Sequence, residues 1–265
     1  MDFVACLTVP GNEDLVKMEV AERGLPWALS FSRPGLVTFK VNGPLVCPNL
    51  AFALAVAPVL EKVSALPEGR PDNDGKDYLE FGKQWLVVKG LKLIKAVPAP
   101  EHSPSRAYGK IAEIISLYPE HFHPPHQVLE LGCAPGGASL CLLEKGLKVT
   151  GIDPAEMDYS ITHHSGFRHW NMPVQILKEK LMARTDRFEL LVSDLNLNAR
   201  DNLRWAMDIA KWLSPSLKFS AITVKANGPL DVKTIVKFLH DHGDRYHAKQ
   251  VPSHRRETCV VGKTL

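Results

Sequence analysis

The sequence predicts an α/β protein, with a mostly parallel sheet wound on both faces by helices, closed by one antiparallel strand and preceded by a small α+β module. Three observations carry this. The apolar run Val128 to Leu131 ends in a glycine-rich turn, Gly132 to Gly137, and a second apolar run, Val149 to Ile152, ends in Asp153. That order of strand, loop, helix, strand and acid is the opening half of a Rossmann-like nucleotide-binding sheet. Later strands alternate with helices and end in charged groups, Asp194 and Lys225, and the last two extended runs lie close enough for an antiparallel hairpin.

The first module comes from residues 1–66. Phe3 to Val9 reads as a strand, Pro10-Gly11-Asn12 as a turn, and Glu13 to Arg23 as a helix stopped by Gly24. Gly35 to Val41 is a second strand closed by Asn42-Gly43-Pro44, and Leu50 to Val63 is an apolar, helix-like run. Residues 67–100 read as a linker and connecting segment. Its clearest part is Pro67 to Gly75, and Lys83, Lys89, Lys92 and Lys95 then punctuate a stretch holding Trp85.

The larger domain spans residues 101–265. Ser103-Pro104-Ser105 opens a helix with Ala107, Ile111, Ile114 and Ile115 on its buried stripe and Lys110 beside it. His121, His123 and His126 lack nearby Cys or acids at ligand spacing and Pro124-Pro125 breaks any helix, so the segment reads as a linker and no metal site is expected. After the glycine-rich unit, Gly166 to Pro173 is a weak third strand and Phe188 to Leu195 a strong one. Arg200 to Leu213 is a helix, Lys218 to Ala226 a strand, and Asp231 to His242 a helix stopped by Gly243. Tyr246 to Val251 and Thr258 to Gly262 form the closing hairpin.

Composition bounds the function classes. The chain has 265 residues, 45% hydrophobic and 23% charged, enough for a sizeable core. No apolar run has the length of a membrane span, and the first residues lack a signal-peptide pattern, so a cytoplasmic protein with no membrane partner is expected. Five scattered cysteines encode no disulfide framework or zinc site. A net charge of +3 permits a nucleic-acid partner without demanding one.

The loop narrows the ligand. Glycines let backbone approach a ligand closely, and Asp153 at a strand tip suits two ribose hydroxyls. A dinucleotide site would carry glycines where Cys133-Ala134-Pro135 stands. A ligand with adenine and ribose but no phosphate, S-adenosylmethionine, therefore fits better than NAD. In a doubly wound sheet such ligands gather at the carboxyl ends of strands, where Asp153, Asp194 and Lys225 are all expected.

With these residues in view, Ser105-Arg106-Ala107-Tyr108-Gly109-Lys110-Ile111-Ala112-Glu113 resembles the Ser-Arg-x-x-x-Lys-Leu-x-Glu helix of the FtsJ-type RNA 2′-O-ribose methyltransferases. Leu131 to Gly137 is similar to their S-adenosylmethionine loop. Lys110, Asp194, Lys225 and Glu257 fall where their Lys-Asp-Lys-Glu tetrad belongs. Within that superfamily the chain most resembles the RlmM family, which modifies a cytidine ribose in large-subunit ribosomal RNA. The stretches involved are Pro71 to Lys76, Ala248-Lys249-Gln250, Arg255-Arg256-Glu257 and Pro10 to Glu13.

The resemblance implies catalytic roles for Lys110, Asp194, Lys225 and Glu257. It implies cofactor contacts from Ser105, Gly132, Cys133, Ala134, Pro135, Gly136, Gly137, Ala138, Asp153, Asn171 and Asp194. Ala138 replaces an aromatic of the family and Asn171 an acid. The N-terminal region is a shortened, ferredoxin-like or THUMP-like remnant of the family's recruitment module. The implied partner is RNA, ribosomal or a precursor particle, bound by a monomer, with Arg200, Arg204, His254, Arg255 and Arg256 as phosphate contacts. A ribose hydroxyl is a poor nucleophile and needs a base; Lys225 serves if Lys110 beside it and partial burial favour its neutral form. Other readings of the same residues are an RNA-binding protein without turnover, a methyltransferase for a non-RNA substrate and, least well matched, an NAD-dependent oxidoreductase.

Overall fold

The computed structural model describes residues 2–66, 75–182, 187–213 and 216–262, and its contacts divide the chain into two compact units, 1–93 and 94–265.

The first unit is an antiparallel sheet of six strands. These are β1 (Phe3–Leu7), β2 (Trp27–Arg33), β3 (Leu36–Val41), β4 (Ala55–Val63), β5 (Lys76–Phe81) and β6 (Gln84–Lys89), in the order β2-β3-β1-β4-β6-β5. Helix α1 (Glu13–Glu22) follows β1. Its buried Glu19 accepts from the Ala51 and Phe52 amides and pairs with Arg23 at 2.7 Å. The edge strands β2 and β5 meet, with the Phe31 and Phe81 rings 4.4 Å apart and Arg33 donating to the Glu80 carbonyl at 2.7 Å, so the sheet is curled.

Several expectations change here. The helix-like run Leu50–Val63 is a turn followed by β4, with Pro58 inside it. Proline cannot sit in a helix interior, and in the sheet Ala55 to Val59 instead pair with β1. The connecting segment contains the β5–β6 hairpin, whose turn is Gly82 at φ +63°, and the hairpin extends the first sheet through β4. Strand β2 was not expected. A ferredoxin-like layout needs two helices crossing the sheet, and among the described residues this unit has one. The linker expected at Pro67–Gly75 lies, except for Gly75, outside the described residues.

The second unit begins with α2 (Ala107–Leu117) and is built on seven strands. Strand β7 (Gln127–Leu131) leads through α3 (Gly137–Glu144) to β8 (Lys148–Ile152), then through the short α4 (Tyr159–Thr162) to β9 (Phe167–Trp170). After α5 (Leu177–Met182) come β10 (Leu190–Ser193), α6 (Ala199–Leu213), β11 (Phe219–Lys225), α7 (Pro229–Asp241), β12 (Tyr246–Lys249) and β13 (Glu257–Gly262).

The order is β12-β13-β11-β10-β7-β8-β9, with β7 to β11 parallel and β13 running against β11 and β12. Helices α2 and α3 cover one face, packing Ile111, Ile114 and Leu142 on Val128 and its neighbours. The other face carries α5 and α6, packed through Leu177, Ile209 and Leu213 on Leu129 and Leu191. Burial on both faces explains why these strands read as continuous apolar runs. This is the mostly parallel α/β sheet with one reversed strand that the sequence predicts.

The chain winds outward from β7 to β8 and β9 on one side and from β10 to β11 on the other. The carboxyl ends of β7 and β10 therefore frame a switch point, where open α/β sheets bind ligands.

Candidate active site

Beyond β7 the chain must turn sharply against its neighbour. Gly132 sits at φ +74°, and a Cβ there would stand 2.7 Å from the Asp194 carbonyl oxygen at the end of β10. The Gly132 amide donates to the Ile152 carbonyl and the Asp194 amide to the Leu131 carbonyl, both at 2.9 Å. Glycine is required on both counts, conformation and contact. Gly137, at the start of α3, has Ser105 against its α-carbon, and a side chain there would run into the serine hydroxyl and carbonyl. Ser105 thus packs on the loop it was expected to join, and its hydroxyl accepts from the Ala107 amide at 3.3 Å.

Cys133 is buried, its thiol 3.4 Å from the Met157 sulfur, and Ala138 is buried where α3 begins. Pro135 is exposed and Gly136 takes φ +119° as the residue before α3. Asp153 leaves the end of β8 half-buried. One of its oxygens accepts from the Ala134 amide at 3.1 Å and the other from the Ala155 amide at 2.9 Å. The carboxylate is therefore oriented by the loop, with lone pairs left for two hydroxyls. Asn171 is exposed just after β9, in line with Asp153 along the carboxyl edge.

The charged residues converge less evenly. Lys110 is 8% exposed, and its ammonium lies 3.0 Å from Asp194 and 2.8 Å from Glu257. A surface lysine covering the core edge is the ordinary form of such a helical residue; here it is enclosed. Burial works against its charge, but Asp194 and Glu257 together outweigh that and raise its pKa, so the cation is fixed. Lys225 stands directly across from Glu257 in the β11–β13 register, and its ammonium donates to the Asn196 side chain at 2.7 Å. Lys110, Asp194 and Glu257 thus form one hydrogen-bonded group, with Lys225 at its border on Asn196.

Beneath Lys110 lies a cavity of ≈ 20 Å³ bordered by Ser193, Asp194, Thr223, Ala138 and Cys259. Ligand pockets run to roughly 300 Å³ or more. This cavity is too small to hold a nucleoside cofactor.

Three residues here, Asn196, Glu130 and Glu113, had no role assigned from the sequence, and a fourth, His254, was assigned a different one. Asn196, two residues past Asp194, holds Lys225. Glu130 is 2% exposed and accepts from Ser139 at 2.6 Å; burial, with Asp194 and Asp153 adding to it, pushes its pKa up to about 8. Glu113, on α2, is fully buried. His254 was expected to contact phosphate, yet it is 1% exposed. Its Nδ1 accepts from the Val251 amide at 3.3 Å, which puts the proton on Nε2, and burial, with Lys110 adding to it, brings its pKa down to about 3. Its Nε2 and the second oxygen of Asp194 are both buried without a hydrogen-bond partner among the described residues. Of the three without an assigned role, only Glu113 carried a signal, as the last residue of the stretch from Ser105. Arg200 and Arg204 remain on α6, with Arg204 beside Asp201 and over the Trp205 ring.

Among the described residues no group of three or more His, Cys, Asp or Glu is arranged to hold a metal, and no helix is long and apolar enough to cross a membrane.

The model of the FtsJ-like methyltransferases matches residues 104–244, from just before α2 to just past α7. Ribosomal RNA large subunit methyltransferase M of Halorhodospira halophila (strain DSM 244 / SL1) is 27% identical over 181 residues, 63% of this chain and 49% of that protein. The chain spans about half the length of that curated relative. Among solved structures, a ribosomal RNA methyltransferase from Plasmodium falciparum is 18% identical, covering 61% of this chain and 98% of that one, with a TM-score of 0.45. Fibrillarin from Aeropyrum pernix, solved with natively bound S-adenosyl-L-methionine, is 13% identical over 89% of this chain and 97% of its own, with a TM-score of 0.43. The family match takes in the helix of Lys110, the glycine-rich loop, Asp194 and Lys225, more than half of the sequence, and on that ground the chain belongs to the FtsJ-like methyltransferase family.

Proposed function

We propose that this protein transfers a methyl group from S-adenosylmethionine to a ribose 2′-hydroxyl of RNA, with ribosomal RNA as the substrate. The observation that carries this reading is the buried Lys110 ammonium held between Asp194 and Glu257, with Lys225 facing Glu257 across the β11–β13 pair. Membership of the FtsJ-like family supports methyl transfer, and the name of the Halorhodospira relative supports ribosomal RNA.

The residues at the switch point fit the cofactor. Asp153 offers oriented lone pairs for ribose hydroxyls, Asn171 an amide for adenine, and the unpartnered oxygen of Asp194 an acceptor for an ammonium group. Residues Gly132 to Ala138 give a loop whose backbone lies close to that edge. When bound, the cofactor supplies an electrophilic methyl group on a sulfonium. Lys225 accepts the proton of the ribose hydroxyl on Nζ. Lys110, kept charged by its two carboxylates, is the fixed cation that steadies the developing alkoxide. Asp194 and Glu257 keep that cation in place.

The test is incubation of the protein with labelled S-adenosylmethionine and ribosomal RNA from cells lacking it, followed by mapping of the label. Label on a ribose 2′-oxygen is the expected result. Label on a base or on protein would overturn the substrate assignment, and tight cofactor binding with no transfer to any RNA would favour a binding protein without turnover.

A further inference from the structure

We propose that Glu113 is a positioning residue of this site, a buried clamp that fastens the segment carrying Glu257 to the helix carrying Lys110. The inference rests on the reading of Lys225 as base given above.

Glu113 lies three residues after Lys110 on α2, so the two side chains leave neighbouring positions on the helix surface. Its side chain is enclosed, with 0% exposure, and its carboxylate takes three hydrogen bonds. One oxygen accepts from the Val97 amide at 2.9 Å and from the Ser253 hydroxyl at 2.7 Å; the other accepts from the Ser253 amide at 2.8 Å. Ser253 belongs to the connection between β12 and β13, and Glu257 begins β13 four residues later. The same connection presses on the backbone of α2. A Cβ at Gly109 would stand 2.5 Å from the Val97 carbonyl oxygen and 2.8 Å from the Ser253 hydroxyl.

Contacts therefore close a ring that runs from Lys110 along the helix to Glu113, across to Ser253, along the chain to Glu257 and back to Lys110 at 2.8 Å. An ion pair alone would have to gather two partners from elements far apart in sequence. The clamp sets their separation without drawing on the ion pair itself. A carboxylate suits this place because all three neighbours are donors, and an amide would turn its own N–H₂ against one of them.

The test uses the full chain in the methyl-transfer assay, with kcat and KM for wild type, Glu113→Gln, Ser253→Ala and Lys225→Ala. Displacing a catalytic group by about 1 Å costs on the order of 100-fold in rate, so Glu113→Gln should lose about that in kcat with KM for S-adenosylmethionine unchanged. Ser253→Ala should move kcat the same way by less, and it carries the test if Glu113→Gln fails to fold. Wild-type kcat in a folded variant, or a loss that falls on KM and not on kcat, would overturn the clamp. Full activity in Lys225→Ala would overturn the base assignment instead, whereas an inactive Lys225→Ala beside a wild-type Glu113→Gln overturns the clamp alone.

Discussion

Lys110 and Glu257 meet at 2.8 Å although one leaves a helix that precedes the second sheet and the other begins its reversed strand. Both are under a tenth exposed. A buried pair of this kind costs most when one member is removed, because the other charge stays behind.

Lys110→Ala leaves Asp194 and Glu257 facing each other without their cation. A loss of about 3–5 kcal/mol is expected in urea unfolding at neutral pH. Lys110→Met combined with Glu257→Gln should recover part of it, since the abandoned charge is gone. Both proteins should be inactive, so stability and turnover part company in the double variant.

Lys225 is half-exposed and bonded to one side-chain oxygen, that of Asn196. Lys225→Ala should therefore stay within about 0.5 kcal/mol of the parent in stability. Methyl transfer should fall by roughly two to four orders of magnitude, the usual weight of a general base, with S-adenosylmethionine binding by calorimetry unchanged. Substantial remaining activity would remove Lys225 from the role of base.

Gly132→Ala places a side chain in a left-handed conformation and against the Asp194 carbonyl. Strain of about 1–3 kcal/mol is expected, spread over the turn on which the cofactor loop and Asp194 both depend. The measurement is cofactor affinity by calorimetry beside thermal unfolding. Unimpaired binding in this variant would place the cofactor elsewhere.

Glu130 and His254 give stability opposite pH slopes. The Glu130 pKa is raised to about 8 in the fold from 4.5, so the folded protein holds an extra proton and stability falls as pH rises from about 4.5 to 8. The His254 pKa is lowered to about 3 from 6.5, so the unfolded chain holds the extra proton and stability falls as pH drops from about 6.5 to 3. Each slope is about 1.4 kcal/mol per pH unit, and they oppose each other between 4.5 and 6.5. Unfolding free energies across pH should show a plateau there, and Glu130→Gln should flatten the curve from about 6.5 to 8 and replace the plateau by the unopposed His254 slope.

The parallel core was legible because burial on both faces writes each strand as an unbroken apolar run, and because its carboxyl ends carry Asp153, Asp194 and Lys225. The first sheet was less so. In β2, Leu29 is 56% exposed and Ser30 and Ser32 interrupt the pattern, so an edge strand left little periodicity to read. In β4, alanines beside Val56 and Val59 suit either state, and only Pro58 argued against a helix. The lysines of the β5–β6 region read as a solvated face, while Leu86, Val87 and Val88 between them are buried. At the site, Glu113 carried no visible role and His254 was read as a phosphate contact, because what distinguishes them is a set of partners more than a hundred positions away or a burial that their residue type does not announce.

Because β13 runs against its neighbours, it is its first residue that reaches the edge where the parallel strands present their last. Glu257 is therefore synthesised after the loop at Gly132 and the strand ending at Lys225. A nascent chain with β7, β8 and β10 in place has Lys110 beside only one of its two carboxylates. On the proposed assignment, the closing hairpin, the last-made part of the sheet, is what completes the reaction centre.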